Sequence, residues 1–348
     1  VFGIAMIRSV IAGNIDLAGY DRRQAIFAAI GLAVILITTF IDYHLWSTLA
    51  QPMYIVVVAL LVVIFVTGQA RFGAARWLSF GIIDIQPAEL AKIAMIMVLA
   101  DYFARNMHAE KNLRWILRSL GLTAAVVVWI LLQPNLSTSI VIMVMWAAML
   151  WISGLPPKYL AIFVVLAIVA GAALFPFLEQ YQQERVINFI FPDPNARHGD
   201  NYNVEQARIT IGDGGLFGQG YGSGPQVQLR FLKVRHTDFI FAAMAEEFGF
   251  VGTVLIVALL VFVIIRCLRA ARLAADPYGS LIAYGVAILI FFQTSVNIGV
   301  NLNIIPVTGL TLPFISYGGS SLVTLYFAIG LVESVAARRK TTEDVTGA

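Results

Sequence analysis

The sequence predicts an all-α integral membrane protein of about ten transmembrane helices, joined by short links and one long extracytoplasmic loop. Three observations carry this. Of the 348 residues, 59% are hydrophobic and only 12% are charged, against roughly 25% charged in ordinary soluble domains. A water-soluble globule cannot hide that much apolar surface, so most of the chain is surrounded by membrane lipids. Uninterrupted apolar runs such as Ile55–Val66 exclude a β-barrel, whose strands alternate apolar and polar residues. At about 20 apolar residues per span, the hydrophobic content suffices for about ten crossings.

Taken in order, Val1–Gly13 is apolar, is interrupted by Arg8 and lacks a charged leader or cleavage site. It reads as the outer part of a first span whose beginning is missing. Further spans fall at about Gln24–Phe40, Gln51–Thr67, Glu89–Ala104, Trp115–Leu132, Ser139–Ile152, Tyr159–Phe177, Phe239–Ile265, Ser280–Val300 and Pro313–Val335. Residues 1–348 thus read as a single polytopic membrane domain. Arg338-Arg339-Lys340 follows the last span, so the positive-inside rule places that end in the cytoplasm, and an even count puts the other terminus there too. Arg105, Lys111, Arg114, Arg118, Lys158, Arg266, Arg269 and Arg272 fall on inner connections, while the short outer ones hold only Arg22, Arg23, Arg71 and Arg76. The connection from Leu178 to Thr237 then lies outside and is the chain's one soluble feature. A link of that length is uncommon unless it is functional.

The net charge of +3 gives no ground to expect a nucleic-acid partner. Cys267 is the single cysteine and cannot form an intrachain disulfide. Gly212-Asp213-Gly214-Gly215 and Gly218-Gln219-Gly220-Tyr221-Gly222 are glycine-rich but carry no Gly-Lys-Ser/Thr, so no nucleotide cofactor is expected. The scattered His44, His108, His198 and His236 argue against zinc, and no nucleophile elbow is present.

Chemistry is therefore sought among acidic residues facing the outer side. Asp238 stands where the long loop meets an apolar helix, in Arg235-His236-Thr237-Asp238. One reading makes Asp238 or Thr237 a helix N-cap. In the other, Arg235 and the helix dipole stabilise the Asp238 anion and lower its basicity, which suits a metal ligand or a proton acceptor working late in a transition state. Glu246 and Glu247 are not placed to share a substrate with Asp238 and read as structural carboxylates. Glu89 and Lys92, three residues apart, share a helix face as an ion pair that is structural or contacts substrate. Arg76 and Trp77 sit at the outer interface. With Arg208, Arg230, Lys233, Arg235 and the adjoining His236 they form a candidate surface for an anionic lipid headgroup.

Five stretches add up to a resemblance: ARWLSFGIIDIQPAELAK (Ala75–Lys92), QPNLSTS (Gln133–Ser139), IGDGGLFGQG (Ile211–Gly220), RHTDFIFAAMAEEFGFVG (Arg235–Gly252) and LPFISYGGSS (Leu312–Ser321). The chain resembles the SEDS family of bacterial membrane proteins, which includes RodA, FtsW and SpoVE, and within it the elongation member RodA most. The resemblance implies a ten-span peptidoglycan glycosyltransferase of the bacterial cytoplasmic (inner) membrane, active in cell-wall elongation. Such an enzyme polymerises lipid II, the disaccharide-pentapeptide on undecaprenyl pyrophosphate, and works with a class B penicillin-binding protein. By the same resemblance the essential acid falls on Asp238, the outer-loop tryptophan on Trp77 and the intramembrane pair on Glu89 and Lys92. Two departures are Lys233-Val234, where the family often has Pro-Glu, and Asn135-Leu136-Ser137, where it often has Asp-Leu-Gly. The implied reaction needs a proton acceptor and a stabilised pyrophosphate leaving group. Asp238 serves as general base or as ligand of a divalent cation, Mg or Mn, and outer-side arginines hold the pyrophosphate. The alternatives are a flippase for the lipid-linked precursor and a non-catalytic scaffold of the cell-wall machinery.

Overall fold

The computed structural model describes residues 1–67, 77–79, 84–192 and 199–339, so Arg71, Arg76, Arg197, His198 and Lys340 lie outside the described residues. These residues form helices α1 (Phe2–Val10), α2 (Tyr20–Phe40), α3 (Tyr43–Thr67), α4 (Pro87–Arg105), α5 (Leu113–Leu132), α6 (Leu136–Ile152) and α7 (Pro157–Leu174). Then come α8 (Gln180–Ile190), α9 (Gly199–Asp213), α10 (Pro225–Gln228), α11 (Ile240–Leu273), α12 (Pro277–Asn301) and α13 (Gly319–Ala337). An antiparallel ribbon, Leu78–Ser79 with Asp84–Ile85, precedes α4. Among the described residues, six helices are long and apolar enough to cross a membrane: α2, α3, α5, α11, α12 and α13. Helices α6 and α7 are apolar but shorter, and α1 has nine residues. Helix α4 bears Glu89, Lys92, Asp101 and Arg105.

The chain divides into two compact units. One comprises Phe27–Val165, Val263–Ile290 and Gly319–Ala348. Its core is α4, which packs against α3, α5, α6 and α13 and is buried almost all round between Pro87 and Phe103. That enclosure lets charged residues ride on a membrane helix without meeting lipid. Helix α3 begins at Tyr43, well before the Gln51 expected from hydropathy, because Asp42 accepts the His44 N–H at 2.9 Å and starts the helix within a polar stretch.

The other unit comprises Val1–Ile26, Leu166–Phe262 and Phe291–Gly318. Here the Leu178–Thr237 connection folds into α8, α9 and α10. The continuous span expected from Phe239 to Ile265 is broken at Gly249, where φ is 65° and ψ is −171°. The Glu246 and Glu247 carbonyls accept from Gln219 N (2.8 Å) and Gly220 N (3.0 Å), while Phe250 N and Val251 N donate to Gly215 O (2.9 Å) and Leu216 O (3.1 Å). The Gly214–Gly220 segment thus supplies the bonds the interrupted helix lacks, as an apolar surrounding requires. The last span starts at Gly319 rather than Pro313, since Leu302–Gly318 turns through Asn303 (φ 54°), Gly309 (φ 78°) and Phe314 (φ 64°).

Candidate active site

The His236-Thr237-Asp238 backbone is hung by its carbonyls from residues that follow α11. Tyr317 N donates to His236 O at 2.8 Å, Ser316 Oγ to Thr237 O at 2.7 Å, and the side chains of Asn297 and Asn301 to Asp238 O. Ser316 Oγ also accepts Leu312 N at 2.8 Å, which ties the serine of LPFISYGGSS into its own turn. Before the triplet, Val234 has φ 51°, a left-handed conformation that a β-branched residue rarely adopts and that concentrates at functional sites.

Asp238 is half-buried and precedes the first residue of α11. The Thr237 hydroxyl donates to Val234 O at 3.4 Å, and among the described residues no helix N–H donates to the side chain of Asp238 or Thr237, so neither acts as the N-cap. Burial pushes the Asp238 carboxyl up to about 6, against the lowering charge of Arg185 and with a further rise from the charge of Asp200. This corrects the expectation of lowered basicity. Arg235 is 5% exposed and gives Nε to Val10 O (2.6 Å) and a terminal nitrogen to Leu232 O (3.3 Å), so its charge is spent on carbonyls. Burial and the Arg235 charge drive His236 down to about 4, leaving it neutral at neutral pH. A Cβ placed on Gly309 would lie 3.8 Å from Asp238 Oδ2, so the backbone of that loop forms the wall beside the carboxylate.

The remaining candidates are spread. Arg230 donates to Gly13 O, Arg208 pairs with Glu205 at 3.2 Å, and Lys233 lies 5.5 Å over the Tyr202 ring. These residues share the unit that holds Asp238. Trp77, half-buried ahead of the ribbon, and the Glu89–Lys92 pair belong to the other unit. The pair forms, with Lys92 Nζ 2.7 Å from Glu89 Oε2 in the buried first turns of α4. Glu246 and Glu247 are structural: Glu246 accepts Gln226 N (2.8 Å) and Val227 N (3.1 Å), and Glu247 accepts the Ser9 hydroxyl. Sequence reasoning missed Arg185 and Asp200, which pair with each other at 3.1 Å between α8 and α9 and whose charges reach Asp238. Neither belongs to a motif, so only folding of the loop reveals them. Among the described residues no three His, Cys, Asp or Glu side chains gather as a metal site. A cation at Asp238 would therefore draw most of its ligands from a phosphate-bearing substrate, which is how magnesium is commonly bound.

The profile of the cell cycle protein family of FtsW, RodA and SpoVE matches residues 1–341. The peptidoglycan glycosyltransferase MrdB of Escherichia coli is 36% identical over 327 residues, 92% of this chain and 87% of MrdB. The probable peptidoglycan glycosyltransferase FtsW of Geobacter metallireducens is 34% identical over 98% of this chain and 92% of its own. A chain solved in a peptidoglycan synthase complex, described as coordinating polymerization and crosslinking, superposes with a TM-score of 0.83 at 30% identity, covering 97% of this chain and 96% of that one. The rod shape determining protein RodA of Thermus thermophilus superposes with a TM-score of 0.72 at 28% identity, covering 98% and 93%.

Proposed function

The chain belongs to the FtsW, RodA and SpoVE family of cell cycle proteins, and from that membership we infer that it is a multi-pass membrane peptidoglycan glycosyltransferase that polymerises lipid II. The observation that carries the reading is the family match across residues 1–341 together with one half-buried carboxyl, Asp238, poised near 6 at the mouth of a membrane helix. Attack of a sugar 4-hydroxyl on an anomeric carbon requires a base near its working pH. Asp238 takes the hydroxyl proton as the bond to the anomeric carbon forms and the pyrophosphate leaves. Neutral His236 carries no competing charge beside it. Arg208 and Lys233, both exposed, are the residues offered to the anionic leaving group. In the alternative role Asp238 would instead hold a divalent cation, Mg or Mn, together with the substrate's phosphates, and that cation would neutralise charge on the leaving group. The active site faces outward, both termini are cytoplasmic, the membrane is the bacterial inner membrane, and the polymer serves elongation with a class B penicillin-binding protein. The orientation is supported by the basic residues of the inner connections, and the partner by likeness to a chain of a peptidoglycan synthase complex.

The test is polymerisation by the purified, reconstituted protein. Parent enzyme given lipid II is expected to form glycan polymer and Asp238→Asn to form almost none, since the amide keeps the size but accepts no proton. Polymer from the variant at the parent rate would remove Asp238 from the chemistry, and no polymer from either would favour a scaffold or flippase.

A further inference from the structure

We propose that Asn297 and Asn301 of α12 are positioning residues for the polymerisation reaction: their carboxamides grip the backbone carbonyl of Asp238 and fix where its carboxyl group stands. The proposal rests on the reading of Asp238 as the base. Nothing in the sequence motifs marks these two side chains, which lie on one face of α12, four residues apart, and are 1% and 0% exposed.

In a regular helix the carbonyl of residue 238 would accept the N–H of residue 242. Here Ala242 N donates instead to Asn301 Oδ1 at 3.1 Å, and Asn301 Nδ2 donates to Asp238 O at 2.9 Å. The Asn301 carboxamide is thus inserted into the first rung of α11, replacing one direct bond with two. The helix proper begins a rung later, where Ala243 N bonds Phe239 O at 3.3 Å. Asn297 Nδ2 adds a second donor to the same Asp238 carbonyl at 3.0 Å.

Two features show that this arrangement aims a side chain as well as satisfying buried polar groups. The Asn301 amide also bonds Asn297 O at 2.8 Å, so its rotamer is fixed from below. Asn297 Nδ2 also holds Leu310 O at 2.8 Å, next to Gly309, the residue whose backbone walls Asp238 Oδ2. One carboxamide therefore sets both the residue that bears the carboxyl group and the surface facing it. With His236 O held by Tyr317 N and Thr237 O by Ser316 Oγ, three successive carbonyls are pinned. His236 O is held by a backbone N–H, whereas Thr237 O and Asp238 O are held by side chains, so the carbonyl of residue 238 can be released by mutating Asn297 and Asn301.

The experiment compares Asn297→Ala and Asn301→Ala in the full chain, reconstituted with lipid II, with turnover normalised to the fraction of protein that binds lipid II. Loosening the carboxyl position is expected to lower turnover about 10- to 100-fold with KM within about twofold, because substrate binding does not use these amides. Loss of folded protein alone would leave normalised turnover unchanged. Asn301→Ala also removes the acceptor of Ala242 N; should it fail to fold, Asn297→Ala, which leaves that acceptor in place, carries the test. Asp238→Asn is measured alongside. If it is inactive while the asparagine variants turn over at the parent rate, the positioning inference is overturned and the role of Asp238 stands. If Asp238→Asn polymerises normally, the base assignment falls and takes the positioning role with it. A rise in KM with unchanged turnover would make the asparagines substrate-binding groups and also overturn the inference.

Discussion

At Asp238 the protein keeps a carboxylate in a place that resists its ionisation. Burial raises its pKa from 3.8 to about 6, so the anion is disfavoured in the folded state relative to the unfolded one, and above pH 6 the ionised group subtracts from stability. Asp238→Asn is therefore expected to raise the thermal midpoint at pH 8 while abolishing polymerisation, and a lowered midpoint would contradict the burial argument. As a base the residue works deprotonated, so turnover should fall as pH drops through about 6; a flat profile between pH 5 and 7 would exclude Asp238 as the titrating base. The Glu89–Lys92 pair is the second residue-scale case, since removing either partner strands a buried charge at about 3–5 kcal/mol. Glu89→Ala and Lys92→Ala should each lower the thermal midpoint, and the double variant should lose less than the sum; strict additivity would show that the partners do not interact. Both sites were legible in the sequence, one from a carboxylate at a loop–helix junction and the other from i,i+3 spacing. The sign of the Asp238 shift was not, because it is set by burial of the carboxyl, which only the folded chain supplies, while Arg235 turns to Val10 O.

Among the elements, hydropathy located the helices well and their ends poorly. It found α5, α6 and α12 within a few residues because their flanks are polar. It missed the first turns of α3, where His44, Ser47 and Thr48 dilute an apolar run. It extended α13 back to Pro313 because Pro313-Phe314-Ile315 is apolar yet carries a left-handed Phe314. The break in α11 was illegible for another reason: Gly249 in Phe248-Gly249-Phe250 looks like any small residue in a membrane helix, and only the distant Gly214–Gly220 segment makes it a gap. That segment gives a direct test. At Gly218, φ is 82° and a Cβ would stand 2.2 Å from Glu247 O, a backbone atom with nowhere to move. Gly218→Ala should cost at least about 2 kcal/mol through left-handed strain and the clash, read as a lowered thermal midpoint. Gly215, also left-handed (φ 50°) but with nothing within 4 Å of a Cβ, should suffer less from the same change.

For the molecule as a whole, Gly299, Gly309 and Gly330 are small residues of the kind that let a partner helix approach closely. The structure fills them from within, with Ile305 against Gly299, Asp238 beside Gly309 and Thr38 against Gly330. Bulky replacements at Gly330 should therefore reduce folded yield; loss of co-purification with a penicillin-binding partner at normal yield would instead mark that face as a docking site. The interrupted helix α11 has a separate bearing on how the chain enters the bilayer. A self-sufficient helix can slip sideways from a translocon into lipid with every rung closed. In helix α11 the ladder is interrupted, and Glu246 O, Glu247 O, Phe250 N and Val251 N bond Gln219, Gly220, Gly215 and Leu216; a backbone group left open in hydrocarbon costs several kcal/mol. Those partners precede it in the chain, so they are already made when α11 emerges and are available to close its ladder as it enters the bilayer.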